Sequence, residues 1–253
     1  MESAHKRDDE GGGLKAQVYR DERPAETMTP VHEYVRTHEP GWVYPAARIV
    51  MGPPARILYR PRATGLENIP AEGPMILAPN HFSNFDHFFV GVRLRREIRF
   101  MGKSQFFGKG ANPVIDYIFR NAGHFPVRRG YDDAEAFISA NSILDRGGCI
   151  GIYAEGGRSR TGGLGEPKRG VGRIALESGA PVVPAAIHGS AAVRGWKRGR
   201  FPRISVAYGE PLTFARDPEA SRERQQEAAE EIFDRIRSMY AVMEGKCGQR
   251  PSE

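Results

Sequence analysis

The stretch "ILAPNHFSNFDHFF", Ile76–Phe89, places His81 five residues ahead of Asp86. An imidazole held by a carboxylate can take a proton from a hydroxyl at neutral pH. On an uninterrupted helix, however, residues five apart point about 140° away from each other. The two can meet only if a strand ends near Ala78, the chain turns at Asn80-His81, and a helix begins near Ser83. Asp86 would then lie in the first helical turn with its carboxylate folded back. Phe85, Phe88, Phe89 and Val92 fall at the spacing of that helix. The same letters also spell a capping box, Ser83-x-x-Asp86, which needs no histidine. Spacing alone leaves both roles open.

Other chemistries fit these residues less well. His81, Asp86 and His87 are too few and too interrupted for a two-metal site, since Phe82 and Asn84 stand where ligands would be needed. The hydrolase elbow Gly-x-Ser-x-Gly does not occur in the sequence. A second chemical segment is "YAEGGRSRTGGLGEPKRGVG", Tyr153–Gly172. Gly157 and Gly162 have P-loop spacing, but Gly163-Leu164 follows where Lys-Ser or Lys-Thr is required. What remains is a glycine-rich loop with Glu155, Arg158, Ser159, Arg160, Lys168 and Arg169, suited to an anion, and a helix opening near Gly170. A solvated flexible loop is the plainer alternative. "GHFPVRRG" adds Arg128 and Arg129 after a short apolar run.

The elements that must position these residues alternate. Strands are expected at Arg56–Tyr59, Met75–Ala78, Ile98–Met101, His124–Val127, Cys149–Tyr153, Val182–Ile187 and Ile204–Tyr208. Between them "DDAEAFISANSILDRGG" and "VGRIALESGAP" carry helical periodicity and close on Gly147 and Gly179. The pattern predicts an α/β fold: one central, mostly parallel or mixed sheet of about seven strands layered by helices. Residues 1–40 are polar and expected to form a mobile tail. Residues 41–60, with prolines and arginines among aromatics, suit a membrane interface or a packed helix. The globular body would run over 56–217, and 218–253 would form an amphipathic helix and tail.

At 253 residues with 40% apolar and 27% charged side chains, the chain is globular in composition rather than disordered. Residues 41–217 carry 25 basic and 14 acidic groups, whereas both flanks are net acidic. A basic body fits phosphorylated small molecules, acidic lipid surfaces or nucleic acid. No uncharged run approaches the roughly 18–20 residues of a spanning helix, and no signal peptide is expected. Cys149, in an apolar run, reads as a buried reduced thiol.

Taken in order, the pieces resemble the 1-acyl-sn-glycerol-3-phosphate (lysophosphatidate) acyltransferase family of the glycerolipid acyltransferases. "NHFSNFD" matches its Asn-His-x-x-x-x-Asp block, "GHFPVRR" its second block through Arg128, "EGGRS" its third and "GAPVVPAAI" its fourth with Pro184. The resemblance spans roughly residues 56–215. Gly157 departs from it, standing where the family usually carries Thr.

The resemblance implies acyl transfer from a thioester, acyl-CoA or acyl carrier protein, to a lysophospholipid hydroxyl, with no metal and no cofactor beyond that co-substrate. His81 would be the base and Asp86 its orienting partner. Arg128, Glu155, Gly156 and Arg158 would bind the glycerol phosphate, with Gly157, Ser159 and Lys168 beside them. An anionic membrane surface is the expected partner, with nucleic acid disfavoured, and the place is the cytoplasmic side of a membrane, peripheral or monotopic. Trp196 within Arg194–Arg203 is a further expected membrane contact. Another lysolipid acceptor, or a non-catalytic basic binding module, stays open at this point.

Overall fold

A computed structural model describes residues 21–248, apart from 130, 132, 160–162 and 194–198. Among the described residues seven strands form one sheet in the order β1-β7-β6-β2-β5-β3-β4. They are β1 (Arg62–Thr64), β2 (Met75–Pro79), β3 (Ile98–Lys103), β4 (Phe125–Val127), β5 (Cys149–Gly151), β6 (Val182–His188) and β7 (Ser205–Tyr208). All neighbouring pairs run parallel except β6 and β7. The helices are α1 (Thr29–Thr37), α2 (Val43–Tyr59), α3 (Asp86–Gly91), α4 (Pro113–Asn121), α5 (Ala134–Asp145), α6 (Gly170–Ser178) and α7 (Arg222–Gly248). The expected α/β architecture is present.

Strand periodicity explains the layering. Successive side chains of β2 point to opposite faces. Ile76 and Ala78 join Ile150, Val182 and Ala186 in a core covered by α5, α6 and α7, while Met75 and Leu77 join Ile98, Cys149, Val183 and Phe89 on the other side. Cys149 is a free buried thiol, and burial pushes its pKa up to about 11. The α6–α7 contact is close enough to require glycine: a Cβ on Gly172 would lie 1.9 Å from the Gln225 carbonyl oxygen.

Two sequence expectations change here. Arg56–Tyr59 is not a strand but the last turn of α2, which continues through Pro53 and Pro54. Two prolines remove two ladder donors, yet the helix spans Val43–Tyr59, and the first strand begins only at Arg62. Residues 21–40 are also not a mobile tail. α1 buries Val31, His32 and Val35 against the core, and the His32 ring bonds Ser139 of α5 at 2.8 Å. Three buried side chains on one short helix outweigh its polar composition. Residues 1–20 and Trp196 lie outside the described residues. Among those described, no helix is long and apolar enough to cross a membrane.

Candidate active site

In parallel sheets, ligands bind beyond the carboxyl ends of the strands. Here β2 and β5 end side by side, and both lead into the segments that carry the chemistry. Beyond Pro79, buried Asn80 prolongs the ladder with its side chain: its amide donates to the Ile187 carbonyl at 3.1 Å and accepts the Ile187 N–H at 2.7 Å. This tie fixes where the next residue emerges.

That residue is His81. Its Nδ1 lies 2.8 Å from Asp86 Oδ2. The same oxygen accepts the backbone N–H groups of Phe82 at 2.6 Å and Ser83 at 2.7 Å. The oxygen that orients the imidazole thus also ties down the turn before the helix, whose own N-cap, Phe85, makes no side-chain cap bond. The helix begins at Asp86 rather than Ser83, because residues 82–85 are spent on the turn that folds the carboxylate back. Asp86 is fully buried, and its Oδ1 has no hydrogen-bond partner among the described residues. The carboxylate holds the proton on Nδ1 and leaves the Nε2 lone pair free. Burial pushes the His81 pKa below its usual value; Asp86 opposes this, and the charges of Arg129 and Arg158 add to the lowering. The imidazole is thus kept neutral and able to accept a proton.

The glycine-rich loop is stitched to this histidine. Glu155 Oε1 accepts the His81 N–H at 2.9 Å and Oε2 accepts the Gly165 N–H at 2.8 Å. Both carboxylate oxygens are occupied internally, so Glu155 is a strut for the loop rather than a free substrate contact. Ser159 N–H donates to the His81 carbonyl at 2.8 Å, and its hydroxyl to the Gly163 carbonyl. Gly156 adopts φ +62°, a left-handed conformation that glycine takes without strain, and the stem of exposed Lys168 packs over it. Arg158 is half-buried beside His81. A Cβ on Gly157 would meet the Arg129 guanidinium at 3.4 Å.

The two arginines after β4 divide their work differently from expectation. Arg128 donates to the carbonyls of Asp21 at 3.2 Å and Arg23 at 2.8 Å, and its guanidinium lies 4.3 Å over the Tyr131 ring. It anchors the segment that precedes α1. Arg129 is the one whose charge reaches both His81 and Arg158. Neither Arg129 nor Arg158 has a hydrogen bond or ion pair among the described residues. Arg129 stands beside Arg128 in the sequence, but both lie past the end of β4 and no local signal separates the two.

Three further histidines are buried and kept neutral by desolvation: His32 and His87 near pKa 4, and His124 near 3. Each folded pKa lies below the usual 6.5 of the unfolded chain, so the unfolded state binds more protons below that pH. Stability is therefore full above 6.5 and declines as pH falls toward 4. At about 1.4 kcal/mol per proton per pH unit, the three predict a loss of about 4 kcal/mol per unit near pH 5.5. Urea midpoints at pH 7.0, 6.0 and 5.5 measure it, and a flat series would contradict the assignment. Glu155, whose pKa burial raises, works weakly in the opposite direction.

A mostly parallel sheet with a His–Asp pair at its strand ends, and beside it two guanidinium groups with no ion pair among the described residues, is the arrangement of a group-transfer α/β domain. A solved structure of the 1-acyl-sn-glycerophosphate (LPA) acyltransferase PlsC from Thermotoga maritima shares the fold, with TM-score 0.59 and 18% identity over 89% of this chain and 90% of that one. A family model described as Acyltransferase matches residues 60–188. A 1-acyl-sn-glycerol-3-phosphate acyltransferase of Bacillus subtilis is 32% identical over 68% of this chain and 84% of its own length. A chloroplastic enzyme of the same name from Brassica napus is 29% identical over 52% of this chain, which spans 38% of that protein. The chain belongs to the acyltransferase family.

Proposed function

We propose that this protein transfers a fatty acyl group from acyl-CoA or acyl carrier protein to a lysophospholipid hydroxyl, with 1-acyl-glycerol-3-phosphate as acceptor and phosphatidate as product. The observation that carries the reading is the His81–Asp86 pair at 2.8 Å, with the guanidinium groups of Arg129 and Arg158 close enough for their charges to act on His81. His81 Nε2 removes the acceptor proton as the hydroxyl oxygen attacks the thioester carbonyl. Asp86 stabilises the imidazolium so formed. The tetrahedral oxyanion collapses, the C–S bond breaks, and the thiolate recovers the proton from His81. Two guanidinium groups with no ion pair among the described residues suit a phosphomonoester, which arginine binds bidentately. No group beyond the two substrates is called for.

The acceptor is a membrane lipid, and the surface supports docking on a bilayer. α4 packs beside α2. Ile49, Val50 and Ile57 on α2 and Val114 on α4 are each more than 60% exposed. Arg48 and Arg56 flank a groove of about 460 Å³ along α2. Apolar side chains ringed by arginines match an anionic lipid interface.

Thiol release from acyl-CoA, measured with a panel of lysolipids in detergent, tests the reading. Lysophosphatidate should be preferred; preference for a phosphate-free acceptor would point to another lysolipid. Arg129→Ala and Arg158→Ala should each raise the acceptor KM at least tenfold with smaller effects on kcat, losing about 1.5–3 kcal/mol of charge-assisted bonding. Arg128→Ala should instead lower stability. If Arg128→Ala raised the acceptor KM and Arg129→Ala did not, the assignment of the phosphate arginine would reverse. Binding to any polyanion with no thiol release would favour a non-catalytic module.

A further inference from the structure

Asp86 accounts for the edge of the His81 ring but not for its face. The Tyr153 ring lies parallel to the imidazole, centroids 3.7 Å apart and planes 13° apart. Phe100 backs Tyr153 at 5.6 Å and 25°, and the Phe100 N–H is bonded by His124 Nδ1 at 3.0 Å. The column is built by the sheet itself: β2, β5 and β3 are neighbours, and His81, Tyr153 and Phe100 come from or just beyond them. Gly151 makes room for it, since a Cβ there would sit 2.4 Å from a Phe100 ring carbon. The Tyr153 hydroxyl, by contrast, is buried with no hydrogen-bond partner among the described residues. An orphaned buried hydroxyl is a cost, so the ring is what this position supplies.

We propose that Tyr153 is a positioning residue: its ring face fixes the plane of the His81 imidazole and stabilises the imidazolium formed during acyl transfer, and its hydroxyl takes no part. The inference rests on the reading of His81 as general base. One hydrogen bond at Nδ1 leaves the imidazole free to pivot about that bond; a parallel plate at van der Waals distance removes the freedom. A cation over an aromatic face gains about 0.5–2 kcal/mol, equivalent to roughly 2–30-fold in rate. The other groups acting on His81 are Asp86, Arg129 and Arg158, with Glu155 on its backbone N–H and His87 close by. All of them stay in place when residue 153 changes.

Tyr153→Met leaves an apolar, somewhat smaller side chain and removes the π face, whereas Tyr153→Phe keeps the face without the hydroxyl. Methionine should lower kcat about tenfold with both substrate KM values within about twofold. It should also lower the His81 pKa followed by NMR of ring-labelled histidine. Phenylalanine should rescue turnover and titration and raise the melting temperature. Equal losses for Met and Phe would show that the hydroxyl acts; wild-type turnover and titration in Tyr153→Met would remove the plate altogether. The NMR titration needs no substrate, so it decides the plate even if no lysolipid supports thiol release. Near-UV circular dichroism verifies folding of each variant.

Discussion

His81→Ala lowers kcat by about three orders of magnitude or more, within the upper range for loss of a positioned general base, while the protein stays folded. The side chain is not what ties the surrounding turn and loop together. Its polar contact is with Asp86, whose Oδ2 keeps two backbone donors when the imidazole is gone. The loop bonds to residue 81 use its backbone N–H and carbonyl, which alanine retains. Steady-state thiol release together with thermal unfolding measures both halves of this result. Thioester consumption at the wild-type rate in His81→Ala, with acceptor present, would overturn the base assignment.

Asp86→Asn is the more demanding substitution. The position of Oδ2 accepts three N–H groups, so the asparagine oxygen must occupy it; the amide NH₂ there would face three donors. The imidazole then keeps its direction but loses its counter-charge, and the imidazolium formed on proton transfer goes uncompensated. A fall in kcat of about 10²–10⁴-fold is expected, by the logic of orienting aspartates in serine hydrolases. Converting three charge-assisted bonds into neutral ones should also cost about 2–3 kcal/mol. For a chain of this size that is a drop in melting temperature of about 5–10 °C. Unchanged turnover with a lowered melting temperature would leave Asp86 as a tie for the turn alone.

Much of this site was legible from local pattern. The β2 apolar run, the turn at Asn80-His81 and the aromatic periodicity after Ser83 suffice to fold Asp86 back onto His81. The glycine-rich loop followed β5 as expected, and six of the seven strands lie where the apolar runs fall. What escaped depends on tertiary contact. Which of Arg128 and Arg129 faces the cleft is set past the end of a three-residue edge strand, and composition says nothing of that. Glu155 reads as a substrate contact until two backbone donors are found on it. α1 was hidden because its buried side chains are only three among many polar ones. At Arg56–Tyr59, the apolar spacing of Arg56-Ile57-Leu58-Tyr59 fits strand and helix alike, and only the continuity of α2 decides. Tyr153 carries no sequence signal for its role, since an aromatic at a strand end is ordinarily core.

His81 gives its amide hydrogen to Glu155 and its carbonyl to Ser159, so both peptide groups flanking the proton acceptor belong to the anion cradle. On the proposed function, recognition of a head group and readiness for chemistry would be mechanically one event. A ligand that tugs on the cradle tugs on the imidazole, with no separate closing step needed between them.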